Sequence, residues 1–174
     1  MRRSITFVGL AALALAAAAA AFAAGDYGYP EETATAPATT SGPASTASET
    51  YRYSAPMSAK QEVPAPKGVP AAAKGAFTVT VVESGAKITL KWKLTYRGVS
   101  GKVGAAHIHK AKRGTAGGVM VALCGPCRSG QTGSAPISES VNSAIEKGLA
   151  YVNLHTAKNA AGELRGQLAL VKKT

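Results

Sequence analysis

Three histidines are the only imidazoles in the 174-residue chain. His107 and His109 stand one residue apart in "AAHIHKA", and His155 lies in "YVNLHTA". On a β-strand, residues i and i+2 project from the same face, about 6–7 Å apart at the backbone. Two imidazoles so placed can grip one copper or zinc ion, and His155 can supply a third nitrogen. Three neutral imidazoles suffice for a site with one open position. The H-x-H pair alone has little specificity, and no carboxylate ligand is evident beside it. The competing reading is a polar network in which each imidazole is satisfied by its neighbours.

The chain's two cysteines offer a different chemistry. Cys124 and Cys127 in "LCGPCRS" repeat the C-G-P-C of thioredoxin-like oxidoreductases. That chemistry needs the first thiol at a helix N-terminus, where the dipole lowers its pKa, and a βαβ context. "RSGQTGSAP" follows instead, and it cannot form a helix of any length. A local disulfide between Cys124 and Cys127 is the expectation, with thiol redox activity as a remote alternative. Other catalytic sets are missing. The only Asp is Asp26, far from the folded region, so no Ser-His-Asp arrangement is available. A glycoside-type carboxylate pair would have to use Glu62 and Glu163, and nothing else marks a sugar cleft. The expectation is a protein that is not an enzyme.

The histidines need strands to position them, and period-two alternation supplies these. In "KITLKWKLTY", Ile88, Leu90, Trp92, Leu94 and Tyr96 share one face, and Lys and Thr take the other. "AFTVTVV" alternates likewise, and "ESGA" between the two runs predicts a hairpin. "AAHIHKA" and "GGVMVALC" read as further strands. "AYVNLHT" and "ELRGQLALV", joined by the turn-like "AKNAAG", form a second hairpin. One short helix is expected in "SESVNSAIEKG", with Ser138 as N-cap, Gly148 as stop, and Val141, Ala144 and Ile145 on its buried face. About seven strands with one helix predict an all-β fold, a Greek-key or immunoglobulin-like β-sandwich.

Alternation also sorts the polar residues. His107 and His109 lie opposite Ala106 and Ile108, and Tyr151, Asn153 and His155 lie opposite Val152 and Leu154. In the last strand Leu164, Gly166, Leu168 and Leu170 face one way; Glu163, Arg165 and Gln167 face the other. With the "HIH" strand beside that hairpin, one sheet face gathers all eight polar side chains.

The N-terminus sets the compartment. Residues 1–23 have a basic start, an Ala- and Leu-rich stretch and an A-x-A site, the plan of a secretory signal peptide. After cleavage no stretch is apolar enough to span a membrane. The mature protein is expected to be secreted or periplasmic. Residues 24–53 are Thr, Ala, Ser and Pro with few aliphatic side chains, a composition that cannot offset its ordering entropy. They read as a disordered tether before a single domain at 54–174. The whole chain carries a formal net charge of +11, and from Ser54 onward seventeen Lys and Arg face five Glu. Export and sparse aromatics argue against nucleic acid. An extracytoplasmic protein or an anionic surface is the partner class that fits.

Taken together, "SAKQEVP" at 58–64, "KGAFTVTV" at 74–81, "AAHIHKA", "GLAYVNLHT" at 148–156 and "GELRGQL" at 162–168 resemble the CHRD (chordin) domain family in order and spacing. The likeness covers about 53–171 and fits a stand-alone, exported bacterial-type member. It implies an all-β domain, and in animals the family includes a secreted antagonist of bone morphogenetic proteins. The recurrent polar positions it implies fall on Gln61, Glu62, His107, His109, Asn153, His155, Glu163, Arg165 and Gln167. A fainter similarity is to copper/zinc superoxide dismutase, a Greek-key barrel with an H-x-H copper pair, but three histidines cannot build its two-metal site.

The expected function is a non-enzymatic binding module. Its ligand surface would be the polar sheet face (Gln61, Glu62, His107, His109, Tyr151, Asn153, His155, Glu163, Arg165 and Gln167), the basic surface, or both. Copper or zinc binding through the three histidines is the alternative.

Overall fold

A computed structural model describes residues 48–174. The expected signal peptide and most of the expected tether therefore lie outside the described residues. The domain starts earlier than the expected boundary at residue 54. Strand β1 runs Glu49–Met57, and Thr50 exchanges backbone hydrogen bonds of 2.9 Å in both directions with Thr174. A polar strand end is held here by the far end of the chain, which composition alone cannot report.

The remaining elements are β2 (Lys74–Ser84), β3 (Lys87–Arg97), β4 (Val103–Lys110), β5 (Val119–Cys124), β6 (Gln131–Pro136), α1 (Glu139–Glu146), β7 (Ala150–Thr156), β8 (Leu164–Gln167) and β9 (Ala169–Lys173). They build two antiparallel sheets, ordered β6-β3-β2-β1-β9 and β5-β4-β7-β8. The result is a β-sandwich with one helix, as the alternation predicts, but with nine strands.

Alternation decides the core. Phe77, Val81, Leu90 and Leu94 of the first sheet and Ala106, Ile108, Val152, Leu154 and Leu164 of the second are fully buried. The β2–β3 hairpin pairs Ser84 with Lys87 across a two-residue turn, where Gly85 takes φ +56°, the left-handed region that glycine enters without steric cost. The helix forms where expected. Ser138 Oγ accepts from the Val141 N–H, and Ala144 and Ile145 are buried.

Two differences account for the additional strands. "QTGSAP" pairs with β3 as β6, although it lacks an apolar face. At its centre Gly133 leaves room for the Trp92 indole, since a Cβ there would come within 2.4 Å of the ring. The expected last strand also breaks at Leu168. The Leu168 N–H still bonds to the Ala150 carbonyl in the second sheet, but Leu170 pairs with Tyr53 in the first. Leu170 is therefore not on the core face with Leu164 and Leu168; it is 58% exposed on an edge strand.

Candidate functional site

Strands β4, β7 and β8 are neighbours, so register assembles the polar face. One cross-strand row is His109, Tyr151 and Gln167; the next is His107, Asn153 and Arg165. His155 follows Asn153 on the same face of β7.

Most of this face is covered. Tyr151, Asn153, Glu163, Arg165, Gln167, Glu62 and His109 are all buried. The β4–β5 connection folds over the sheet and offers its carbonyls. Arg165 donates to Thr115 O (2.8 Å) and Lys112 O (3.0 Å), and Gln167 donates to Ala111 O and Gly148 O, both at 2.9 Å. The Tyr151 hydroxyl accepts from the Gly117 N–H at 3.1 Å. Arg165 stacks on the Tyr151 ring, 3.5 Å from its centroid, and His109 stacks on the same ring at 5.0 Å.

From the other side come Gln61 and Glu62, in and just after a short 3₁₀ turn. Gln61 donates to Pro56 O and accepts from Arg113. Glu62 accepts from Asn153 Nδ2 at 3.2 Å. Burial pushes the Glu62 carboxyl up, against bonds and charges from Val63, Arg165 and Asn153. Gly162 (φ +139°) permits this approach, because a Cβ would sit 2.4 Å from Glu62 Oε2 and 2.6 Å from the Asn153 amide.

Glu163 faces elsewhere. It accepts from the Ser100 N–H (2.6 Å), Ser100 Oγ and Thr156 Oγ1 (both 2.5 Å) and Asn159 Nδ2 (3.2 Å). These partners were not singled out from the sequence. Thr156 precedes the turn "AKNAAG" and Asn159 lies within it, a segment that reads only as a turn, and Ser100 lies 63 residues from its carboxylate. The covering connection carried no sequence signal either, because it acts through backbone carbonyls.

The three histidines converge. One ring nitrogen from each lies within 4.8 Å of the others. His109 Nδ1 bonds to the Gly117 carbonyl at 2.9 Å, and His155 Nδ1 to the Ala160 carbonyl at 3.0 Å. A carbonyl only accepts, so each Nδ1 carries the proton and each Nε2 presents a lone pair. His155 Nε2 stands 3.2 Å from His107 Nδ1, while His109 Nε2 is buried without a partner. Burial, reinforced by neighbouring histidines, lowers the His107 pKa. His109 and His155 are also lowered chiefly by burial, against their carbonyl bonds. Each shift favours the neutral ring, the form that ligates metal.

On this face the unpartnered buried atoms are Glu62 Oε2, His109 Nε2 and Asn153 Oδ1. Each is an acceptor, so what these atoms lack is a hydrogen-bond donor or a cation.

Cys124 and Cys127 form a disulfide, with Cα atoms 5.2 Å apart. The pair sits between β5 and β6, and α1 begins only at Glu139, so neither sulfur lies at a helix N-terminus. A disulfide fits an oxidising compartment. Among the described residues no helix is long and apolar enough to cross a membrane.

Comparison with known proteins places the chain. The family model for the CHRD domain matches residues 53–168, and the chain belongs to that family. No curated protein and no solved structure matches it.

Proposed function

We propose that this CHRD-domain protein is an exported, non-enzymatic binding module whose principal ligand is a copper or zinc ion held by His107, His109 and His155. The observation that carries the proposal is the convergence of three neutral imidazoles, two with the proton fixed on Nδ1 by a backbone carbonyl. That orientation is how proteins prepare histidine ligands. One pair of these nitrogens already has the spacing of a four-coordinate ion, and the three, now within 4.8 Å of one another, would close further on it. Nitrogens about 2.0–2.1 Å from a tetrahedral centre stand about 3.3 Å apart, and His107 Nδ1 and His155 Nε2 are 3.2 Å apart. His107 and His155 are half-buried, so the site is reached from solvent. A bound ion would also give His109 Nε2 the partner it lacks.

The wider polar face does not fit a large ligand. Arg165 and Gln167 spend their donors on the covering connection and on the Gly148 carbonyl, and Glu163 spends its acceptors on Ser100, Thr156 and Asn159. Those residues hold the histidines' surroundings in place. Export rests on the N-terminal sequence and the disulfide.

The test is a buffered titration of the purified protein with Cu²⁺ and with Zn²⁺ against the His107→Ala/His109→Ala variant. Losing an orienting partner costs about 10–100-fold in metal affinity, and removing two ligands should cost more. Equal, weak binding by both proteins would refute the metal reading.

A further inference from the structure

The outer face of the five-stranded sheet lies on the opposite side of the sandwich from the histidines. Register aligns its side chains in rows across four strands. One row is Arg52, Thr80, Lys91 and Ser134. The next is Ser54, Thr78, Lys93 and Thr132. Their chain neighbours Tyr53, Val79 and Trp92 are buried in the core, so strand alternation turns these two rows to solvent. A depression of about 730 Å³ lies over them.

The chemistry of this face is one-sided. Glu49 and Glu83 share the inward parity of Tyr53 and Val79, so the two rows carry no carboxylate. Among the described residues the one ion pair joins Lys173 to Glu49, which leaves Arg52, Lys91 and Lys93 without an acidic partner. Lys91 and Lys93, two residues apart on one face, stand about 6–7 Å apart at the backbone. Like charges so close repel unless an anion lies between them. Five hydroxyls surround the three cations and supply both donors and acceptors.

We propose that this face binds a linear acidic polysaccharide lying across the strands, its carboxylates or sulfates on Arg52, Lys91 and Lys93 and its ring hydroxyls on the Ser and Thr rows. Four observations select that partner. A concave floor suits a chain and cannot meet a planar bilayer. The hydroxyl rows match a polyol and add nothing to a lipid headgroup layer. No aromatic side chain projects from the two rows for nucleic-acid bases to stack on. The rows cross four strands of the sheet, a span along which a polymer can lie. This site is independent of the histidine cluster, and either can fail without the other.

The test uses the full chain. Binding is measured to dextran sulfate and polygalacturonate, with neutral dextran and phosphatidylglycerol vesicles as comparison arms. The Lys91→Gln/Lys93→Gln variant is set beside Lys102→Gln/Lys147→Gln, which removes the same charge from exposed positions away from the face. All four side chains are exposed, so the fold is retained, and far-UV circular dichroism checks that. The expected result is binding to an acidic glycan, weakened by salt and reduced about tenfold or more in the face variant, a loss of about 1.4 kcal/mol, with little change in the control variant. Equal losses in both variants would reduce the effect to net charge and overturn the proposal. Binding to vesicles alone, or to neither acidic glycan, would overturn it as well.

Discussion

Replacing Glu163 with Gln removes one charge and keeps the shape, so it tests whether this carboxylate is a structural clamp. The side chain is fully buried and accepts four hydrogen bonds, from the Ser100 N–H, Ser100 Oγ, Thr156 Oγ1 and Asn159 Nδ2. If the new amide oxygen faces the Ser100 N–H, its nitrogen faces the other three groups. The two hydroxyls can turn and accept, but Asn159 Nδ2 cannot. One bond is lost and three change from charged to neutral. A bond to a charged group is worth about 1.5–3 kcal/mol against about 0.5–1.5 for a neutral one, so the gross loss is about 5 kcal/mol. The neutral amide is easier to bury, which offsets part of this and leaves about 2–4 kcal/mol. At about 4 °C per kcal/mol for a domain of this size, the melting temperature falls by roughly 8–16 °C.

The same substitution carries a pH signature. Burial raises the Glu163 pKa, but donors from Ser100, Thr156 and Asn159 outweigh it and hold the carboxyl below 4.5. The folded protein then binds fewer protons at this site than the unfolded chain. The stabilisation is complete above the unfolded value and is lost as pH falls below it through the folded value. Urea denaturation followed by far-UV circular dichroism should show the gap between parent and variant at pH 7 and a narrower gap at pH 3. A gap under about 0.5 kcal/mol at pH 7, the range of ordinary surface substitutions, would refute the clamp. So would a gap that stays constant with pH.

Gly133→Ala should cost about 1–3 kcal/mol through overpacking, because the new Cβ meets the Trp92 indole at 2.4 Å. Tryptophan fluorescence should shift with it, since Trp92 is the chain's only tryptophan, and an unchanged spectrum and stability would count against the β3–β6 pairing. The Cys124→Ala/Cys127→Ala variant closes no loop and should lose about 2 kcal/mol or less, the chain-entropy figure for so short a ring. It should keep its metal affinity, and the parent protein should fail to reduce insulin disulfides. Turnover in that assay would revive the thiol redox reading.

Alternation made much of this fold legible. It separated the Lys and Thr face of β3 from its buried face, and it turned His107 and His109 to one side of their strand and Asn153 and Arg165 to one side of their hairpin; the β4-β7-β8 order joins the two sets. It specifies inside against outside, however, and not which sheet a strand joins. The run from Leu164 to Leu170 keeps its period through Gly166, and no Gly or Pro stands at 168–170 where the break falls, so the step from β8 to β9 was hidden. Strand β6 was hidden for the opposite reason, having no apolar face to alternate. The β1 boundary depends on a pairing with Thr174 at the other end of the chain, a contact no local pattern encodes.

The two polar sheet faces show what alternation cannot rank. Both are polar by sequence, yet one is open and the other buried. The difference lies in hydrogen-bonding capacity. Lys and Thr on the first sheet are satisfied by water and need no neighbour. Arg165, Gln167 and Tyr151 on the second carry donors that a connecting segment rich in free carbonyls can meet. Covering that face removes water, and every atom left must then find a partner within the protein. Arg165 Nη1 and Nη2, Gln167 Nε2 and Asn153 Nδ2 each have an acceptor. The buried atoms of this face left without a partner are Glu62 Oε2, Asn153 Oδ1 and His109 Nε2, each of which would take a hydrogen-bond donor or a cation. Of the three, only His109 Nε2 belongs to the histidine cluster, and it is the atom that an ion bound there would satisfy.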